Sequence, residues 1–154
     1  VRILAIDPGT RCGWALHTGE EILSGTWNLK SDDNPGRRWI GFRKRIRAAN
    51  PDKIVYEKVM AHAATLAAHM YGGFEATIQA YCAEAGVELD SVHVGTIKKH
   101  ATGKGNANKA QMVSAAAKRW PEIEIQDDNQ ADALWLLDYE MTRMDALEGG
   151  GEPD

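Results

Sequence analysis

The chain has 154 residues, 44% of them apolar and 26% charged, which fits one soluble domain with a core of its own and excludes a disulfide-stapled or disordered chain. No apolar run reaches the roughly 20 residues that span a bilayer, and the start lacks the cationic and apolar regions of a secretory signal, so a cytoplasmic location with no membrane partner is expected. The formal net charge of −4 does not exclude a polyanionic partner, because Asp145 to Asp154 hold four acidic and no basic side chains and the remainder is neutral overall.

Residues 1–7 read as a strand ending on Asp7. Gly9 and Gly13 punctuate a turn after it, and 13–16 and 22–29 continue as two further strands of a meander. Asp33-Asn34-Pro35-Gly36 leads into a helix with Trp39, Phe42 and Ile46 on one face, ending near Asn50-Pro51. That helix also carries Arg37, Arg38, Arg43, Lys44, Arg45 and Arg47. Such a block is either a local field for a polyanion or the wet face of a helix. A fourth strand, 54–57, ends on Glu57.

A long Ala-rich helix is predicted over 63–84, with Leu66, Met70, Phe74 and Ile78 spaced by four and Gly86 as its stop. Tyr71, Ala67 and Tyr81 lie toward other faces, so it has apolar surface to spare. Gly72-Gly73 in its middle costs up to about 1 kcal/mol per glycine relative to alanine, a cost explained by close approach of a second copy or of the chain's own sheet. His62 and His69, seven apart on this helix, lack a third partner in register for zinc. Residues 87–94 form a fifth strand, 95–100 a short helix, 102–106 a flexible loop and 107–120 a further helix. A last helix runs from near Asp128 to about Met144, and 148–154 is an acidic mobile tail beyond a domain of 1–147. Five strands with helices between and after them give an α/β sandwich on a mixed sheet. Cys12 and Cys82 have no metal spacing and are expected as buried free thiols, and the five tryptophans as core residues.

Three carboxylates carry the chemistry. Asp7 and Glu57 close apolar strands, and Asp132 lies one turn into an apolar helix that opens at the acidic cluster 127–132. Strand ends and helix starts meet at one rim of such a sheet, where clustered carboxylates bind divalent cations. Singly, each has a plainer reading: Asp-Pro-Gly is turn chemistry, Glu57 is a strand end near solvent and Asp128 is a helix cap. Asp132 resists one, because a charge beside Ala133, Leu134, Trp135, Leu136 and Leu137 needs a partner. The loop 103–109, with Lys104 and Lys109, is rich in backbone N–H groups ahead of a helix and suits a phosphate. It does not match the nucleotide-binding pattern of glycine, four residues, then Gly-Lys-Ser/Thr, so a nucleic-acid backbone fits better.

Together, Ile-Asp-Pro-Gly-Thr at 6–10 with Gly13, Tyr-Glu at 56–57, Lys98-Lys99 with Thr-Gly-Lys-Gly-Asn-Ala-Asn-Lys at 102–109, and Ala-Asp-Ala-Leu at 131–134 resemble the RuvC family of Holliday-junction resolvases. That family is one of the RNase H-like nucleases, and the resemblance spans almost the whole chain. It implies an RNase H-like fold, a five-stranded mixed sheet flanked by helices, and a homodimer that nicks four-way junctions and other branched DNA using Mg²⁺, for which Mn²⁺ can substitute. Asp7, Glu57 and Asp132 carry over as metal ligands of a two-metal site with ions roughly 3.5–4 Å apart. Lys99 and Lys109 carry over as DNA-backbone contacts, with Lys98 and Lys104 in the same segment.

The family's fourth ligand position, three residues before the last aspartate, is Asn129 here. Asp128 is favoured for that role, since it sits four residues before Asp132 on the same helix face, while the Asn129 amide can coordinate without charge. Met60 stands three residues after Glu57 where the family commonly has an aromatic, and it can wedge against an opened junction by contact. No base-reading module such as a helix-turn-helix or zinc finger is present. The alternative function is a branched-DNA-binding module without cleavage.

Overall fold

The unbroken apolar run Ile3-Leu4-Ala5-Ile6 suits a strand covered on both faces, and in the computed structural model it forms the central strand β1 (Ile3–Asp7). The structure describes residues 1–149, so most of the expected tail lies outside the described residues. β2 (Arg11–His17) and β3 (Ile22–Asn28) continue from β1 as an antiparallel meander. β4 (Lys53–Lys58) and β5 (Glu88–His93) add in parallel on the other side, giving the order β3-β2-β1-β4-β5. The expected mixed sheet is therefore present. Gly13 belongs to β2 rather than to the preceding turn.

α1 (Gly36–Ala49) and α2 (Thr65–Ala85) cover one face of the sheet. α3 (Val94–Thr102), α4 (Lys109–Arg119) and α5 (Asp128–Glu148) cover the other. Strand alternation divides the core accordingly. Leu4, Ile6, Ile54 and Tyr56 pack with Phe42, Ile46, Phe74 and Ile78 beneath α1 and α2. Ile3, Ala5, Ala15 and Val55 pack with Leu134, Trp135 and Leu137 beneath α5. The same parity carries Asp7 and Glu57 onto the α5 side.

Several expectations shift. α2 begins at Thr65, so His62 lies in the loop before it, where its ring packs 5.0 Å from that of Tyr71. α5 continues to Glu148, past the expected stop at Met144 and the expected boundary at 147. Gly73 serves this chain's own α1: a Cβ there would sit 2.3 Å from the Trp39 ring. Gly72 faces open space, so neither glycine is explained by the sheet. Gly86 stops α2 at φ 67, the left-handed cap that its position predicts. Cys12 and Cys82 are buried free thiols, as expected. Trp120 and Trp135 are core, whereas Trp14 and Trp27 stack on each other at the half-buried edge of the sheet.

Candidate metal centre and nucleic-acid interface

β1 and β4 run in parallel with Ile6 opposite Tyr56, so Asp7 and Glu57 leave adjacent strands at one rim. α5 delivers the third carboxylate because Gly13, paired with Asp7 on β2, leaves room for it. A Cβ on Gly13 would lie 1.9 Å from the Asn129 carbonyl oxygen, so the first turn of α5 rests directly on the strand. Asp127 fixes that turn: it caps α5 by accepting from the Gln130 N–H at 2.8 Å, and the Thr26 hydroxyl donates to it at 2.8 Å. The capping role that the sequence offers to Asp128 thus falls to Asp127, which leaves the Asp128 side chain free of it.

The ligand atoms of Asp7, Glu57 and Asp132 all lie within 4.8 Å of one another. Glu57 is buried, while Asp7 and Asp132 keep partial access to solvent. Burial raises the Asp7 carboxyl well above the ordinary carboxylate range, and Glu57, Asp132 and Asp128 add repulsion. Asp132 is pushed up to about 7, first by burial and then by Glu57 and Asp128, with Lys98 and Lys109 opposing. Asp128 stands outside the trio but acts electrostatically on it, and its carboxylate is 3.7 Å from the Lys109 ammonium. Asn129 is half-buried, and its backbone lies against Gly13 of β2.

The basic residues divide by position. Lys109 is the first residue of α4, 85% exposed and beside Asp128. Lys98 is half-buried on α3 and Lys99 is exposed on the same helix. Lys104 is exposed and lines a shallow depression with Thr102, Asn108, Gln111 and Lys118. Of the two loop lysines, Lys109 is the one seen beside an acidic side chain of α5. At the head of α4, Asn108 and Gln111 form a reciprocal capping box that already satisfies the Asn108 N–H, one of the amides of the loop 103–109 suited to a phosphate. Met60 is 72% exposed in the loop that follows β4.

Tyr71 has a role that sequence reasoning does not find. Its position in the apolar pattern points to spare surface, but its hydroxyl donates to the Glu57 carbonyl at 2.9 Å and accepts from the Val59 N–H at 3.2 Å. Beside it, Glu75 accepts from the Tyr56 hydroxyl and the Lys58 ammonium, each at 2.7 Å. α2 is thereby fastened to the strand end that presents Glu57. A tyrosine two turns into a helix carries no sequence signal for such a bond.

No protein-family model matches the chain. Among curated proteins, the crossover junction endodeoxyribonuclease RuvC of Nitratidesulfovibrio vulgaris (strain Hildenborough) is 30% identical over 161 residues, covering 97% of this chain and 96% of that protein. RuvC of Methylobacterium radiotolerans is 28% identical over 156 residues, covering 95% of this chain and 75% of that protein. Among solved structures, Thermus thermophilus RuvC superposes with a TM-score of 0.74 at 19% identity over 97% of both chains. A further structure of that protein, in complex with a Holliday junction substrate, gives 0.71 at 19% identity over 88% of this chain and 89% of that one.

Proposed function

Because the chain belongs to the RuvC family of crossover junction endodeoxyribonucleases, we propose that it nicks branched DNA, four-way junctions above all, by metal-dependent phosphodiester hydrolysis. The observation that carries this reading is the convergence of Asp7, Glu57 and Asp132 within 4.8 Å. Carboxylates gathered out of water need protons or a cation to offset their repulsion, and an all-oxygen donor set suits Mg²⁺ or Mn²⁺. Without cleavage the cluster would only repel the phosphates of a bound junction, which disfavours the binding-module alternative.

Asp7, Glu57 and Asp132 would hold two divalent ions, with Asp128 as the fourth carboxylate. A bound Mg²⁺ would supply activation of water and an offset to the charge that builds on the phosphate. The protein's own part is orientation. Asp127 and Gly13 set the start of α5, Tyr71 holds the end of β4, and Lys98 and Lys109 draw the DNA backbone alongside the carboxylates. Lys99 and Lys104 extend this contact along α3 and its following loop, and exposed Met60 meets the opened junction. Recognition is of shape, since the described residues hold no base-reading module.

The working unit is a two-fold symmetric homodimer with α2 as its main contact. Support comes from the first turns of α2, where Leu66 is 71% exposed beside an apolar depression lined by Val59, Ala67 and Met70. Two-fold symmetry presents two centres to opposite strands of a junction.

Substitution tests the cluster. Asp7→Asn and Glu57→Gln should each abolish nicking while junction binding persists, because the change weakens metal capture and lessens repulsion of phosphate. Asp128→Asn should damage activity far more than Asn129→Ala. Full activity in either of the first two variants overturns the assignment, and the reverse ranking makes the Asn129 amide the fourth ligand.

A further inference from the structure

A second basic feature lies at the same rim, on the side of the sheet away from α3 and α4. β3 ends there: Asn28 is paired with Arg11, and the Leu29 N–H donates to the Thr10 carbonyl at 2.7 Å, three residues beyond Asp7. The chain then crosses to α1, and a groove of about 200 Å³ opens between that crossing and the helix. Its charged lining is Lys30, Arg37, Arg38 and Arg45 against the single carboxylate of Asp32.

The groove is held open by its own bonds. Arg38, buried, donates from Nε to the Leu29 carbonyl at 2.6 Å and from a terminal nitrogen toward the Met70 sulfur at 3.2 Å, which fixes the floor. Arg37 is tied to Asp32 at 2.8 Å. Lys30 and Arg45 have no ion-pair partner among the described residues, and neither do Lys44 and Arg47 further along α1. Such a run of uncompensated cations leading from the rim is a local field with no internal use among the described residues.

We propose that this groove is a second phosphodiester-backbone subsite, one that holds a duplex arm as it leaves the cleavage centre, with Lys30 and Arg45 as the side chains that meet phosphate. The proposal rests on the junction-nicking reading and extends it: the carboxylate rim is flanked by Lys98 and Lys109 on one side and by Lys30 and Arg45 on the other. A stiff duplex crossing the rim is then gripped on both sides of the scissile phosphate. α1 thus belongs to the interface, resolving the ambiguity of its arginine-rich sequence.

The test is a salt titration of binding to a labelled four-way junction, with chelator present so that no strand is cut. Each phosphate contact contributes about 0.9 to the slope of log affinity against log salt. Lys30→Ala and Arg45→Ala should therefore each flatten the slope by about one unit, and the double variant by about two. Arg45→Lys should keep the unaltered slope. Unchanged slopes in both alanine variants overturn the proposal, as does an Arg45→Lys variant as impaired as Arg45→Ala, because the loss would then come from packing rather than charge. If Lys109→Ala flattens the slope while Lys30→Ala and Arg45→Ala do not, the groove alone fails. If the unaltered chain shows no preference for the junction over linear duplex, the underlying reading fails with it.

Discussion

Asp132 is the residue at which the tension in the molecule is most exposed. Its folded-state pKa of about 7, set first by burial and then by Glu57 and Asp128, lies above the unfolded value of about 3.9. Between those values the folded chain holds a proton that the unfolded chain has lost. The associated stability is complete below the unfolded value and disappears as pH rises through about 7. Asp7 shifts in the same direction. The metal-free chain should therefore melt at a lower temperature at pH 8 than at pH 6, and excess Mg²⁺ should restore more of the loss at pH 8. A metal-free melting temperature that climbs between pH 6 and pH 8 would contradict the clustered carboxylates. The three acids were legible in sequence because each closes or opens a hydrophobic element. Asp127 as the cap was not, since any of three adjacent polar residues satisfies the capping pattern and only the packing of α5 on β2 decides among them.

At the scale of elements, the placement of α5 depends on one missing methyl group. The would-be Cβ of Gly13 meets backbone at Asn129, not the tip of a flexible side chain, so the helix or the strand must move to admit it. Gly13→Ala should lower the melting temperature and remove nicking together, because displacing α5 carries Asp128 and Asp132 away from Asp7. For the melting temperature, Gly72→Ala is the matched control: its Cβ meets nothing within 4 Å in the single chain, and helix propensity favours it by up to about 1 kcal/mol. A Gly13→Ala chain that melts and nicks like the unaltered one would show that the strand does not set the helix.

Element order and type were readable here because hydrophobic period and turn residues agree along most of the chain. The misplacements have local causes. α2 starts at Thr65 because Ala64 takes an extended conformation, φ −142 and ψ 152, at the cap position. Gly73 proved a notch for Trp39, a contact between α1 and α2 that no spacing within either helix encodes. Likewise Lys53, 2.6 Å from the fully buried Glu140, looks in sequence like an ordinary strand-start lysine.

For the whole molecule, one centre cuts one strand, so paired nicks require two copies. Sedimentation at micromolar concentration should give twice the 16.9 kDa chain mass, and Leu66→Glu, placing a charge on exposed α2 surface, should shift it toward monomer. A clean monomer, free and on junction DNA, would remove the dimer and with it the paired-nick mechanism. Whether the converged carboxylates make this chain a metal-dependent junction nuclease is decided by one cleavage assay. A four-way junction labelled on each strand in turn is incubated with the purified chain in Mg²⁺ or in chelator, beside a linear duplex of the same sequence. Nicks are expected on two opposing strands, in Mg²⁺ only and on the junction far more than on the duplex. Junction binding with intact strands in Mg²⁺ would contradict it.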